Sequence, residues 1–260
     1  MKVFKHVYTS ALGIDRKCEI KIITMNENHE GVPVVIAPGF LTEGQDDWLN
    51  YIAERIDAPL IFVKWRSSSI LKMSMSALSS LLATSSVPAI GALRLASFGA
   101  SFFSAWSSAA KEATLAGQDL TNVLNDIWDN DDKAIFIGHS LGVRVITEAM
   151  RTLRFDNVLT SISIAGAINK EHYQERISAI KSARNITHIN MFSDNDSVLK
   201  WLYRIGEFNV KKVPIGLVQS DLPNITNIKT SIGHTEYHKD ASFGDLIVQL
   251  HKEALQRVEA

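Results

Sequence analysis

The sequence predicts an α/β protein in which helices cover both faces of a mostly parallel sheet. Apolar, β-prone segments alternate along the chain with segments that carry apolar residues at helical spacing. The segments at residues 32–37 and 134–137 are apolar throughout, as is typical of strands buried on both faces. Pro38, Gly138 and Gly166 follow predicted strands, where turns are expected.

The predicted elements follow one another along the chain. Strands are predicted at residues 18–25, 32–37, 59–65, 134–137, 158–165, 186–192 and 225–232. Helices are predicted at residues 46–56, 119–128, 143–151, 171–183, 198–205 and 241–258. The first strand alternates apolar and polar residues, so we expect it to be antiparallel to its neighbour.

A segment of different composition, residues 67–117, lies between the third and fourth predicted strands. It is rich in Ser, Ala, Leu and Met, carries few charges and is interrupted at Pro88. We therefore expect a core of residues 1–66 and 118–260 and an apolar helical insert of two or three helices at 67–117. The preferred interpretation of the insert is a lid or cap with an apolar underside. The alternatives are a membrane span, which Arg94 disfavours, and a helical hairpin that only adds core.

Composition and charge exclude several classes of protein. A chain of 260 residues fits one large α/β domain, or one domain with an inserted subdomain. The net charge of −1 gives no field for binding a phosphate backbone, so we expect no nucleic-acid partner. The single Cys18 excludes an internal disulfide framework and argues against a cysteine-rich metal site. Residues 1–10 show no long apolar segment followed by a small-residue cleavage site, so we expect no classical secretion. We expect a cytoplasmic protein, with membrane association and signal-independent export left open.

The strand at residues 134–137 leads into the pentapeptide Gly-His-Ser-Leu-Gly at 138–142, and a helical pattern follows directly. Glycines two positions before and after Ser140 remove Cβ atoms where a sharp strand-to-helix turn would crowd the neighbouring chain. Such a turn presents the Ser140 hydroxyl at the edge of the sheet, above a helix N-terminus. Because the pentapeptide pattern is common by chance, the flanking strand and helix are what identify Ser140 as a candidate nucleophile.

Candidate acids and bases follow later in the chain. A serine hydroxyl needs a base, usually histidine, and the histidine needs a carboxylate to orient it. With a serine in a strand-turn-helix motif, the acid comes next in the chain and the histidine last. Asp196, in the loop after the strand at 186–192, is the preferred acid and Asp194 the alternative. If they are not catalytic, Asp196 would be the N-cap of the following helix and Asp194 would shape the turn. His234, which follows a glycine at a strand exit, is preferred to His238 as the base.

The remaining candidate residues lie next to the nucleophile or in the loop after residues 32–37. We predict that the N–H groups of Leu141 and Phe40 bind the oxyanion. Gly39 would let the chain approach closely, whereas a simple turn with Phe40 buried is the alternative. His139 is on the wrong side of the turn to be the base, so we interpret it as a residue that lines the pocket or supports the catalytic side chains from behind. We expect no metal and no cofactor.

Taken in order, these motifs resemble the α/β-hydrolase superfamily. The resemblance rests on the loop at residues 38–40, the pentapeptide at 138–142, the Asp196 loop and Gly233-His234. A narrower set resembles the hydrolase-like domain of eukaryotic transmembrane and coiled-coil domain-containing proteins. That set comprises residues 39–41 with Trp48, 140–146, 195–199 with Tyr203 and Arg204, 215–217, and 233–234 with Tyr237. The resemblance implies an esterase- or lipase-like fold with Ser140, Asp196 and His234 as a catalytic triad.

The residues and the resemblance together predict a hydrolase of carboxylic esters with apolar acyl chains. A lipase, a phospholipase and a short-chain esterase all fit this description. The expected partners are a small-molecule or lipid ester and, transiently, a membrane surface contacted by residues 67–117. A non-catalytic binding or scaffold protein on the same fold is the alternative function. A lipid-degrading toxin is a third hypothesis.

Overall fold

The structure of the protein is a computed structural model that describes residues 20–39, 47–65, 88–180, 186–200 and 212–259. Side chains are described throughout these ranges except at residues 88–105 and 259. Several predictions fall outside them. They are the start of the first strand at residue 18, the oxyanion donor Phe40, the first part of the insert at 67–87, and most of the helix at 198–205.

The described residues form a seven-stranded sheet. Its strands are β1 (Ile20–Met25), β2 (Val34–Ala37), β3 (Leu60–Trp65), β4 (Ala134–His139), β5 (Val158–Ile164), β6 (Thr187–Phe192) and β7 (Ile225–Lys229). Their order across the sheet is β1-β3-β2-β4-β5-β6-β7. β1 is antiparallel to β3, and all the other neighbouring strands are parallel.

Helices cover both faces of this sheet. They are α1 (Asp47–Ala53), α2 (Pro88–Ile127), α3 (Gly142–Thr152), α4 (Lys170–Ser178) and α5 (Ala241–Glu259), with 3₁₀ turns at Ile215–Leu217 and Tyr237–Lys239. Helix α3 packs on the face of Gly138, which pairs with Ser163 of β5. Arg257 of α5 instead donates to Thr160 Oγ1 of β5, at 2.6 Å. Because side chains alternate along a strand, Ser163 and Thr160 point to opposite faces.

The centre of the sheet is the most apolar part of the molecule. Every residue of β2 and β4 is buried, as the uninterrupted apolar runs in the sequence predict. The observed parallel strands, antiparallel first strand and two helical layers confirm the predicted α/β class. The carboxyl ends of the parallel strands meet at one edge of the sheet, where functional loops of such folds lie.

Helix α2 runs without a break through the predicted boundary at residue 117. The sequence predicted separate helices on the two sides of this boundary, but the described residues there form one helix of 40 residues. A Cβ atom at Gly117 would lie 2.6 Å from both Glu148 Cβ and the Val145 carbonyl oxygen of α3. Gly117 therefore permits close packing of α2 against α3 and does not end a helix.

The C-terminal part of the predicted insert packs in the main core. The side chains of α2 that are buried there include Trp106, Ala109, Ala113 and Ala116. Only the residues before Trp106 therefore keep the interpretation as a lid, which stays a prediction. Within the described ranges, no helix is both long enough and apolar enough to cross a membrane.

Candidate active site

Ser140 lies in a sharp turn between β4 and α3, at the carboxyl edge of the sheet. Its φ angle is +53°, in the left-handed region that residues other than glycine seldom adopt. The Ser140 N–H donates to the Ile164 carbonyl at 2.9 Å, and the Ser140 carbonyl accepts from the Ala167 N–H at 3.0 Å. These bonds to the last residue of β5 and to the loop after it hold the strained backbone in place.

The two glycines of the pentapeptide are required by close contacts on opposite sides of the turn. A Cβ atom at Gly138 would lie 2.8 Å from Ile146 Cδ1 of α3. One at Gly142 would overlap the carbonyl oxygen of Ala37 at the end of β2. The first glycine lets α3 pack onto β4, and the second lets the helix begin directly beside β2.

The structure brings together Ser140, His234 and Asp196, which lie far apart in the sequence. His234 Nε2 is 3.0 Å from Ser140 Oγ, and His234 Nδ1 is 2.7 Å from Asp196 Oδ2. The exposed fractions of the three residues are 5%, 8% and 1% respectively. Such burial strengthens the attraction between the carboxylate and a protonated imidazole, because little water screens it.

The carboxylate of Asp196 has two contacts, one for each role that the sequence left open. Oδ1 accepts the Leu199 N–H at 2.8 Å, as the side chain of an N-cap residue does. Oδ2 faces the imidazole of His234. The backbone contact orients the carboxylate, so the N-cap geometry and the contact with His234 support each other.

The alternative acid and base have other contacts. Asp194 is 53% exposed and forms an ion pair with Lys229, with Oδ2 and Nζ 2.7 Å apart. The hydrogen bond from Lys229 holds the pKa of Asp194 below its ordinary value. The His238 ring lies beside Trp48, with ring centroids 5.8 Å apart, and burial lowers its pKa. Neither side chain takes part in the hydrogen bonds that link Ser140, His234 and Asp196.

One of the two predicted oxyanion donors lies within the described residues. Leu141 occupies the N-cap position of α3, and no side chain caps this helix end. Its N–H therefore lies where the positive end of the helix dipole favours negative charge. Gly39 passes close to the nucleophile, since a Cβ there would be 2.8 Å from both His139 Nδ1 and Ser140 Cβ. Phe40 lies outside the described residues, so its role as a donor stays a prediction.

His139 and Tyr237 support the loop that carries His234. His139 Nε2 lies 2.8 Å from the His234 carbonyl oxygen. Burial and the neighbouring charge of His234 lower the pKa of His139 well below 6.5. The Tyr237 hydroxyl is 2.9 Å from Thr230 Oγ1, and burial raises the pKa of Tyr237. The sequence interpretation of His139 as a pocket or supporting residue did not identify its contact with His234, because a bond to a distant backbone atom leaves no local pattern. Tyr237 was named only in the resemblance.

Among the described residues, no group of three or more His, Cys, Asp or Glu side chains is arranged to hold a metal ion.

Comparison with known proteins identifies a sequence family and a fold. Over residues 52–247 the chain matches the family described as "Protein of unknown function (DUF726)". A search of curated proteins found no match. The chain is similar to the solved structure of a "predicted CIB-like hydrolase" from Thermoplasma acidophilum, with 12% identity, a TM-score of 0.52, and 96% of this chain and 98% of that chain covered. For mouse alpha/beta hydrolase domain-containing protein 10, the identity is 12%, the TM-score 0.50, and the coverage 94% and 98%.

These two likenesses show the α/β-hydrolase fold and confirm the predicted fold. The narrower resemblance to the transmembrane and coiled-coil domain-containing proteins stays a prediction.

Proposed function

The chain belongs to the family described as "Protein of unknown function (DUF726)", and from this premise we propose that it is a serine hydrolase of carboxylic esters. The observation that carries the proposal is the pair of hydrogen bonds that His234 makes to Ser140 and to Asp196. Fold alone does not imply activity. A nucleophile, a base and an acid in hydrogen-bond contact at the carboxyl edge of the sheet are what activate a serine hydroxyl.

The proposed reaction has two halves joined by an acyl-enzyme. His234 Nε2 accepts the proton of Ser140 Oγ while the oxygen attacks the ester carbonyl carbon. The N–H groups of Leu141 and Phe40 stabilise the resulting oxyanion. Collapse of the tetrahedral intermediate breaks the bond to the alcohol, which takes the proton from His234. Water then attacks the acyl-enzyme with His234 as base, and the carboxylic acid leaves as the Ser140 hydroxyl is restored.

Asp196 contributes to both halves of the proposed reaction, formation of the acyl-enzyme and its hydrolysis. A carboxylate at His234 Nδ1 favours the tautomer with the proton on that nitrogen, which leaves Nε2 free to accept from Ser140. It also stabilises the imidazolium that forms in each half. The contact of Asp196 Oδ1 with the Leu199 N–H supports this role, because it holds the carboxylate toward His234.

We further propose that the acyl chain of the substrate is apolar. The support is the apolar, Ser- and Ala-rich composition of residues 67–105, which suits a lid that shields an acyl chain or contacts a lipid surface. A lipase or phospholipase is then expected to prefer long acyl chains in micelles. A short-chain esterase is expected to prefer short soluble esters. A series of p-nitrophenyl esters of increasing chain length, with and without micelles, separates the two.

A fluorophosphonate probe tests the catalytic proposal directly. The wild-type protein is expected to form a covalent adduct that mass spectrometry assigns to Ser140, whereas the Ser140→Ala variant forms none. Hydrolysis of a p-nitrophenyl ester is expected to fall by roughly 10⁴-fold or more in that variant. Ser161→Ala, which removes a different serine–histidine contact, is the matched control and is expected to react like wild type.

A folded wild-type protein that neither reacts with the probe nor hydrolyses any ester in the series would disprove the enzymatic proposal. Binding of a lipid or partner that survives in Ser140→Ala would then favour the non-catalytic binding protein.

A further inference from the structure

His139, the residue before the nucleophile, contacts the backbone of His234. The His139 ring is buried, and its Nε2 lies 2.8 Å from the His234 carbonyl oxygen. A carbonyl oxygen only accepts hydrogen bonds, so Nε2 must carry the proton and donate it. The two residues are 95 positions apart in the chain, and this bond joins the end of β4 to the loop after β7.

The surroundings of the His139 ring hold it in one orientation. Trp48 of α1 stacks on it, with ring centroids 5.0 Å apart and an angle of 29° between the planes. A Cβ atom at Gly39 would lie 2.8 Å from His139 Nδ1, so the backbone of Gly39 lies close to the Nδ1 edge of the ring. Burial and the charge of His234 lower the pKa of His139, which keeps the ring neutral when His234 is protonated.

Two consecutive residues therefore hold opposite ends of His234. His139 bonds its backbone carbonyl, and Ser140 Oγ contacts its imidazole. His234 lies in a turn beyond the end of β7, so the hydrogen bonds of the sheet do not fix its main chain. The bond from His139 provides a fixed attachment to the same strand end that carries the nucleophile.

We propose that His139 is a positioning residue, whose bond to the His234 carbonyl sets the distance between His234 Nε2 and Ser140 Oγ. This inference rests on the proposed function of Ser140 and His234. Displacing a reacting group by about 1 Å lowers the rate by about 10²-fold. Loss of the single bond from His139 to the His234 carbonyl is therefore expected to have a measurable effect.

Two substitutions separate the hydrogen bond from packing. His139→Phe keeps a ring for Trp48 but has no donor, whereas His139→Gln keeps an N–H at a similar reach. We expect His139→Phe to lower kcat for a p-nitrophenyl ester by about 10²-fold with little change in KM, because the transition state needs the positioned base more than the bound ester does. His139→Gln is expected to recover most of the loss.

His251 provides the matched control. Its Nε2 lies 3.3 Å from the Val32 carbonyl oxygen, and its ring is buried, so it makes the same type of bond in α5. His251→Phe is expected to lower stability without changing kcat. Thermal unfolding of every variant shows that the compared proteins are folded.

Proton NMR reports on the site without turnover. The proton between His234 Nδ1 and Asp196 is expected to give a low-field resonance, assigned by its loss in His234→Ala. This resonance is expected to shift or broaden in His139→Phe and to persist in His139→Gln and His251→Phe. Wild-type kcat and an unchanged resonance in His139→Phe would overturn the inference, as would equal losses in the Phe and Gln variants. If the wild-type protein has no hydrolase activity, the proposed function fails, and the resonance alone decides whether His139 positions His234.

Discussion

Two buried serine–histidine pairs lie among the described residues, one at the carboxyl edge of the sheet and one within it, and the two pairs differ in their surroundings. In the first, Ser140 Oγ is 3.0 Å from His234 Nε2. In the second, Ser161 Oγ in the middle of β5 is 2.6 Å from Nδ1 of His188, near the start of β6. By distance alone the second pair is the closer one.

The first difference between the pairs is the partner of the histidine ring nitrogen that does not contact the serine. His234 Nδ1 contacts the Asp196 carboxylate, whereas His188 Nε2 has no partner among the described residues. Burial lowers the pKa of His188 to about 4. Since no described side chain stabilises an imidazolium at His188 and burial disfavours one, His188 is a poor base for a serine hydroxyl.

The second difference is the backbone position and conformation of the serine in each pair. Ser161 lies in the middle of a strand with Phe136 and His188 as its neighbours, and no part of it is exposed. Ser140 lies at a strand end with a φ angle of +53°, above the first turn of α3. A serine–histidine pair is therefore a candidate for catalysis only when a carboxylate contacts the histidine and the serine lies at the edge of the sheet.

The largest expected effect comes from making the first pair resemble the second. Asp196→Asn removes the charge at His234 Nδ1 and is expected to lower kcat for a p-nitrophenyl ester by about 10⁴-fold, as an amide favours the wrong imidazole tautomer. Steady-state kinetics measure this. Asp194→Asn is the matched control, because that side chain is exposed and paired with Lys229, and it is expected to keep wild-type kcat. Equal losses in the two variants would contradict the assignment of the acid.

The dependence of stability on pH tests whether His188, unlike His234, is a buried histidine without a carboxylate partner. Its folded pKa of about 4 lies below the ordinary 6.5, so the unfolded chain binds the extra proton between these pH values. Stability is therefore expected to fall as the pH drops through this window, by about 2 kcal/mol at pH 5 from His188 alone. Urea unfolding against pH measures the loss, to which buried His139 adds in the same direction. His188→Gln is expected to show a shallower dependence by about one proton, and an unchanged dependence would contradict the prediction.

The smallest effect concerns Ser161 itself. Ser161→Ala leaves His188 Nδ1 without its partner in a buried site, which is expected to cost about 1–2 kcal/mol of unfolding free energy. Urea unfolding at pH 7 measures this cost. The same variant is expected to react with a fluorophosphonate at the wild-type rate, and a large loss of reactivity would show that the two pairs are coupled.

The local sequence pattern was sufficient to predict the strands of the sheet and the turn that carries Ser140. The apolar run at residues 134–137 became β4, and both glycines of the pentapeptide lie where a Cβ atom would collide. At Gly117 the same reasoning failed. The sequence shows a glycine at a change of composition, and only the packing of α3 against it explains why the helix continues.

The choice between Asp194 and Asp196 needed the folded chain. Both residues follow β6, and nothing in their spacing shows which carboxylate points inward. In the structure, Asp196 is 1% exposed and faces His234, while Asp194 faces Lys229 at the surface.

The sequence by itself determined the α/β class, the strand-turn-helix at Ser140 and the order of the candidate residues. These depend on steric and apolar patterns within a few neighbouring residues. Tertiary structure alone decided that Asp196 contacts His234 and that His139 holds the His234 backbone. Such contacts depend on where loops from distant strands meet, and that position is set by the packing of the whole sheet.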